Sequence, residues 1–134
     1  MIYRQAVASD TIDLLSLVQE YCQEFGLQYD NKSIKKYLDT QIGMMPTIVC
    51  DNDGEVIGAI SFVLIPDPFK NENLIAKKIA CFVTSNYRGE NIGSELRQKA
   101  EQICKQQGVK KFYFSGTDQV PGYEVFETEY VKEL

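Results

Sequence analysis

Hydrophobic residues follow two alternating periods along the chain, and each change of period predicts a change of secondary structure. Apolar residues at helical spacing predict a long helix from Ser9 to Gly26, a shorter helix over residues 32–40, and a third from about Asn91 to Gly108. Apolar or alternating runs predict strands over residues 2–6, 47–50, 56–65, 74–83, 109–115 and 125–131.

The connections between these elements predict a mixed α/β sheet. Asp53 and Gly54 are a strong hairpin signal between the second and third strands, which are therefore expected to pair antiparallel. The helix from about Asn91 carries the chain from the fourth strand to the fifth, and such a crossover joins parallel strands. We expect a mixed sheet with helices on both faces.

Composition narrows the class of protein. A chain of 134 residues with 44% hydrophobic and 25% charged residues is typical of one globular domain, to which we assign residues 1–134. No apolar run approaches the roughly 20 residues that span a bilayer, so we expect a cytoplasmic protein without a membrane partner. The four cysteines match no metal motif, and with no histidine in the chain, His-based triads and His-ligated zinc are excluded; no metal is expected.

Charge is distributed unevenly around the net value of −5. Residues 70–111 carry more lysine and arginine than acidic residues, whereas the segments on either side are acidic. The local field therefore favours an anionic ligand in this region, while the acidic remainder argues against nucleic-acid binding. The alternative is an excess of solvated lysines that binds nothing.

A glycine turn lies inside this positive region, between the fourth strand and the third predicted helix. It reads Arg88-Gly89-Glu90-Asn91-Ile92-Gly93-Ser94. Backbone N–H groups at such a helix N-terminus have no partner in the helix and bind phosphate readily, and Arg88 adds a bidentate donor. The turn lacks the lysine of the nucleoside triphosphate loop and the Gly-x-Gly-x-x-Gly pattern of dinucleotide-binding proteins. The alternative is a purely structural junction.

Residues 82–96 resemble the acyl-CoA loop of the GNAT family of N-acetyltransferases. The family pattern is Arg or Gln, two residues, Gly, one residue, then Gly or Ala, and here it reads Arg88-x-x-Asn91-x-Gly93. Asn91 stands where the family has its middle glycine. Asparagine is the non-glycine residue that best tolerates a left-handed backbone, so the loop geometry is expected to be kept.

The resemblance implies a fold, a co-substrate and a set of site residues. The fold is a mostly antiparallel sheet splayed between its fourth and fifth strands, with the family's last helix shortened or missing. The co-substrate is acetyl-CoA, with its pantetheine arm on the backbone of the fourth strand and its diphosphate on the loop. Carried over, the cofactor-binding residues are Cys81, Phe82, Val83, Arg88, Gly89, Glu90, Asn91, Ile92, Gly93 and Ser94.

The catalytic groups are less evident. The family places a tyrosine on a short C-terminal helix, where it protonates the leaving thiolate, but residues 117–121 are too short for a helix here. Tyr123 is the remaining candidate acid, and its alternative role is that of a core aromatic. No general base is evident, so the resemblance implies direct attack of an amine on the thioester in a ternary complex.

The acceptor is expected to be a primary amine of a small molecule or of a protein lysine or N-terminus. The family implies recognition by the first two helices and nearby loops, and acidic groups there would attract a cationic amine. The candidate residues are Tyr21, Phe25, Tyr29 and Tyr37 with Glu20, Glu24, Asp30 and Asp39. The alternative is a solvated helix face over an aromatic core.

Two other functions stay open. One is a non-catalytic protein of the same fold that binds CoA as a structural or regulatory ligand, or has lost it. The other is an interaction domain that docks or forms a homodimer through the exposed strand over residues 125–131, since unpaired strand edges invite pairing.

Overall fold

The computed structural model of the chain describes residues 1–42, 46–70, 72–115, 122–124 and 132–134. Within them, five strands and three α-helices follow one another as β1 (Ile2–Gln5), α1 (Thr11–Glu24), α2 (Asn31–Gln41), β2 (Thr47–Asn52), β3 (Glu55–Pro66), β4 (Leu74–Val83), α3 (Ile92–Gln106) and β5 (Val109–Tyr113). The strand expected over residues 125–131 lies outside the described part of the chain, as does the segment 117–121.

The five strands form one sheet in sequence order, β1-β2-β3-β4-β5. The first three neighbouring pairs are antiparallel, and β4 pairs with β5 in parallel because α3 returns the chain to the same end of the sheet. The turn between β2 and β3 is built by Asp53 and Gly54, both with positive φ (51° and 92°), as tight hairpins require. The predicted mixed, mostly antiparallel sheet is confirmed.

The sheet opens between β4 and β5. Their pairing runs only from Leu74 to Lys77 on β4, although β4 continues to Val83. The register between β3 and β4 skips Ile79, which marks a β-bulge two residues after the last parallel pair. A bulge bends its strand and increases the local twist, so it carries the end of β4 away from β5. The predicted splay is confirmed.

Helices cover both faces of the sheet because neighbouring strand residues point to opposite sides. On one face, α3 packs Leu96 and Ala100 over Ile48, Ile60 and other fully buried residues. On the other face, α1 and α2 cover a smaller core. That core contains Leu14, Leu17, Leu38, Val49 and Val56. The opening between β4 and β5 therefore lies between two packed helical layers.

The start of α1 differs from the expectation that Ser9 caps it. A turn of 3-10 helix, Ala8–Asp10, precedes the α-helix, which begins at Thr11. The buried Asp10 carboxylate accepts bonds of 2.8 and 2.9 Å from the Arg4 guanidinium and one of 2.8 Å from the Val7 amide. This ion pair fixes the turn, so tertiary contact overrides the local capping preference.

Candidate functional site

The loop after β4 presents an open helix N-terminus. A 3-10 turn, Ser85–Tyr87, leads into Gly89 and Asn91, which both have positive φ (90° and 62°). Asn91 is thus left-handed, as the sequence predicts, and its side chain caps nothing. The first amide bonded within α3 is that of Glu95, to the Asn91 carbonyl at 3.0 Å. The N–H groups of residues 92–94 therefore have no partner within the helix, and such an N-terminus favours a negative charge beside it.

This N-terminus borders a cleft of about 460 Å³, here called the Arg88 cleft. Eight of the predicted cofactor-binding residues line it, namely Cys81, Phe82, Val83, Arg88, Gly89, Asn91, Ile92 and Gly93. The other two, Glu90 and Ser94, lie on the same loop but are not among the lining residues. The opposite wall comes from Tyr21 and Glu24 of α1 and from Phe25, which follows the helix, so the cleft lies between the end of α1 and the α3 N-terminus.

Arg88 is held in the cleft by three groups. Its Nη1 and Nη2 atoms donate to the two carboxylate oxygens of Glu24 at 2.6 and 2.5 Å, and its Nε donates to the Val83 carbonyl at 3.0 Å. The guanidinium also stacks over the Phe82 ring, 5.0 Å from its centre. The Arg88 hydrogen bonds hold the pKa of Glu24 below its usual range. Glu24 thus occupies the fork that a phosphate would use.

A second carboxylate of α1 binds the same loop. Glu20 accepts the Thr84 hydroxyl at 2.8 Å and the Ser85 amide at 2.9 Å, and these bonds, the backbone one foremost, lower its pKa. Glu20 and Glu24 stand one helical turn apart and face the loop together. Sequence reasoning assigned both to the acceptor; that four-residue spacing is the signal that could have revealed a shared loop contact.

The end of β4 offers main-chain rather than side-chain chemistry. Beyond Lys77, β4 has β3 as its only strand partner among the described residues, so half of its backbone groups face the opening. Burial raises the pKa of the Cys81 thiol. A protonated, half-buried thiol is a poor nucleophile, which leaves the backbone of residues 81–83 as the available binding surface.

A second cleft of about 390 Å³ lies between α1, α2 and the sheet, and we call it the α1–α2 cleft. It shares Tyr21 and Phe82 with the Arg88 cleft, so the two meet at the opened end of β4. Its other walls include Val18, Ile34 and Ala80. No charged side chain is among its described lining residues.

Tyr123 lies against α3. Its hydroxyl donates to Glu101 at 2.5 Å, its ring stands 5.7 Å from the Arg97 guanidinium, and it is not among the described lining residues of either cleft. Burial and the bond to Glu101 raise its pKa. A role as catalytic acid stays a prediction. Within the described ranges, no group of three metal-ligating side chains occurs, and no helix has the length and apolarity of a membrane span.

The splayed mixed sheet and the open helix N-terminus beside the splay define an α/β fold that is known among acetyltransferases. A family model described as "Acetyltransferase (GNAT) family" matches residues 13–127. The chain therefore belongs to the GNAT acetyltransferase family, as the loop resemblance indicated. No curated protein sequence matches it significantly.

Solved structures share this fold at low sequence identity. A GNAT family acetyltransferase from Staphylococcus aureus is 20% identical, with a TM-score of 0.82 over 99% of this chain and 98% of the other. A ribosomal-protein-alanine N-acetyltransferase from Brucella melitensis is 14% identical, with a TM-score of 0.79 over 99% and 98%. An acetyltransferase from Clostridium acetobutylicum, solved with acetyl-CoA, is 12% identical, with a TM-score of 0.70 over 94% and 95%.

Proposed function

We propose that this chain, as one domain over residues 1–134, transfers an acetyl group from acetyl-CoA to a primary amine in the cytoplasm. The observation that carries the proposal is that one cleft joins an open helix N-terminus to the end of β4, where residues 81–83 have no second strand partner among the described residues. The first suits a diphosphate and the second suits the amide groups of a pantetheine arm. Family membership supports acyl transfer, and the Clostridium acetobutylicum relative was solved with acetyl-CoA.

The binding mode assigns each part of acetyl-CoA to a part of the cleft. The diphosphate lies on the amides of residues 88–94, with Ser94 as a further donor. The pantetheine arm follows the backbone of Cys81, Phe82 and Val83 toward the bulge at Ile79. The thioester then lies where β4 and β5 separate, close to the junction of the two clefts.

The reaction is a direct transfer in a ternary complex. The neutral amine nitrogen attacks the thioester carbonyl carbon, and a main-chain N–H of β4 holds the oxyanion. The C–S bond then breaks, giving an acetamide and the CoA thiolate. The amine releases a proton to water and the thiolate takes one up, so proton exchange with solvent balances the reaction.

Tyr123 can donate a proton to the thiolate only after its hydroxyl breaks the hydrogen bond to Glu101. Replacement by phenylalanine removes the hydroxyl and keeps the ring between Phe114 and Arg97. A fall of about 10²-fold or more in kcat with an unchanged acetyl-CoA Kd would support the acid role. An unchanged kcat would leave Tyr123 as a packing residue.

Calorimetric titration with acetyl-CoA tests the site. We expect one binding event per chain, abolished by Arg88→Glu, because the new carboxylate repels the diphosphate and removes its bidentate donor. Lys110→Glu is the matched control, since it makes the same charge reversal on an exposed residue beyond the other end of α3. Equal affinity in wild type and Arg88→Glu would refute the loop assignment.

A second candidate is a CoA-binding protein without catalysis. It is favoured by the engagement of Tyr123 with Glu101 and by the lack of a side-chain base lining the described part of the Arg88 cleft other than the paired Glu24. Tight acetyl-CoA binding without acetylated product from a broad amine panel would establish it. Light scattering on the same samples tests the homodimer alternative, and neither reading involves nucleic acid or a membrane.

A further inference from the structure

The α1–α2 cleft differs from the acceptor site that the acidic residues of α1 and α2 predict. The four acids named for the acceptor are already engaged elsewhere. Glu20 and Glu24 bind the loop, Asp30 accepts the Lys32 amide at 3.0 Å as the cap of α2, and Asp39 lies 3.5 Å from the Thr11 hydroxyl. The described walls of the cleft carry only apolar groups, hydroxyls and one amide.

The family already implies acceptor recognition by the first two helices, and we propose that the acceptor bound there, in the α1–α2 cleft, is a primary amine on an apolar or aromatic body without a second charge. This inference rests on the proposed function and names its substrate class. It excludes polyamines and aminoglycosides, which belong to the cationic amines that an acidic acceptor site would attract.

Position is the first argument. Tyr21 and Phe82 belong to both clefts, and Ala80, which precedes the proposed pantetheine segment on β4, lines the α1–α2 cleft. A thioester that reaches the bulge at Ile79 therefore faces this cleft from the Arg88 side. An amine entering from the α1–α2 side meets the carbonyl carbon without crossing the phosphate loop.

Polarity is the second argument. A second ammonium group in this cleft would lose its hydration and meet no carboxylate among the described lining residues, which is strongly unfavourable. An aromatic or aliphatic body instead packs against Leu14, Leu17 and Ile34, which line the cleft. The same environment favours the neutral form of the reacting amine, so the cleft itself helps to supply the nucleophile where no base is present.

An unsatisfied acceptor atom is the third argument. The Oε1 atom of Gln41 is buried and has no hydrogen-bond partner among the described residues, and Gln41 lines the cleft. Buried polar atoms are nearly always paired in folded proteins. An amine N–H is a suitable donor to this oxygen, and it would orient the nitrogen without requiring a charge in the wall.

The test compares two amines of similar length, 2-phenylethylamine and 1,4-diaminobutane, with acetyl-CoA and the full chain. Acetylated product is measured by mass spectrometry, and binding of each amine by the shift in melting temperature in the presence of CoA. We expect kcat/KM to be higher for 2-phenylethylamine by about tenfold or more, and only this amine to raise the melting temperature. A kcat/KM for the diamine equal to or above that for 2-phenylethylamine overturns the inference. The absence of both product and thermal shift with 2-phenylethylamine overturns it as well.

Variants separate this inference from the proposed function. Ala59→Leu fills the cleft and Gln41→Leu removes the unpaired oxygen, and both are expected to raise KM for the amine about tenfold with an unchanged acetyl-CoA Kd. Ala8→Leu, an exposed change of the same size, is the control. Should Ala59→Leu not fold, Gln41→Leu alone decides, and an unchanged KM there counts against the inference. If the wild type does not bind acetyl-CoA, the proposed function itself is refuted.

Discussion

Replacing Asn91 with alanine tests the backbone geometry on which the phosphate site depends. Asn91 has φ 62° and ψ 16°, and its side chain makes no capping bond, so the substitution removes no hydrogen bond from the helix N-terminus. The cost of the substitution is then the strain of a side chain on a left-handed backbone, which is roughly 1–2 kcal/mol for an ordinary residue and less for asparagine. We therefore expect Asn91→Ala to lower the free energy of unfolding by about 1 kcal/mol, or about 3–5 °C in Tm for a chain of this size.

Asn91→Gly is the matched variant. Glycine has no left-handed strain and restores the family pattern, while its greater freedom in the unfolded chain offsets the gain, so stability should change by less than about 0.5 kcal/mol. Thermal denaturation and acetyl-CoA calorimetry on all three proteins should give both Tm and affinity in the order glycine, asparagine, alanine, from highest to lowest. If alanine is as stable as asparagine, residue 91 is not left-handed in solution, and the proposed anion site loses its basis.

Further predictions concern the ion pair between Glu24 and Arg88, two glycines, and stability in acid. Glu24→Gln should tighten acetyl-CoA binding severalfold, more at low salt, because it frees the Arg88 fork and removes a competing negative charge; weaker binding would contradict this. Gly58→Ala should lower stability by about 1–2 kcal/mol, since its Cβ would lie 3.3 Å from the Phe82 carbonyl, whereas Gly93→Ala meets nothing nearer than 3.9 Å and should weaken only acetyl-CoA binding. Arg4 holds the pKa of Asp10 below its ordinary 3.8. The stability that the ionised Asp10 contributes is therefore fully present above pH 3.8 and lost as the pH falls through the folded-state pKa. Between about pH 5 and about pH 3, the free energy of unfolding of Asp10→Asn should therefore fall less than that of the wild type, as measured by denaturation at each pH.

The elements that the sequence predicted well are those with strong local signals. The strand over residues 74–83 has the predicted bounds, and the left-handed Asn91 and the Asp53-Gly54 turn follow from backbone chemistry at single positions. Each of these depends on residues adjacent in the chain.

The features that the sequence did not predict depend on contacts between distant segments. Glu24 meets Arg88 across 64 positions, and no spacing rule states which carboxylate will pair with which cation. In the same way, the ion pair between Arg4 and Asp10 fixes the turn before α1, which begins at Thr11 rather than directly after Ser9. The acidic face of α1 was predicted as part of an acceptor site, whereas the contacts that Glu20 and Glu24 make with the loop after β4 join segments far apart in the chain, and no local pattern indicated them.

Helix α1 is a common wall of two clefts, and this has a thermodynamic consequence. Its carboxylates hold the loop after β4, while Leu14 and Leu17 line the α1–α2 cleft. If acetyl-CoA draws Arg88 away from Glu24, α1 is released from one of its contacts, and the second cleft changes with it. Linkage then requires reciprocity: the factor by which one ligand alters the affinity of the other is the same in both directions. An ordered or cooperative kinetic scheme would thus arise within a single small domain, without subunits.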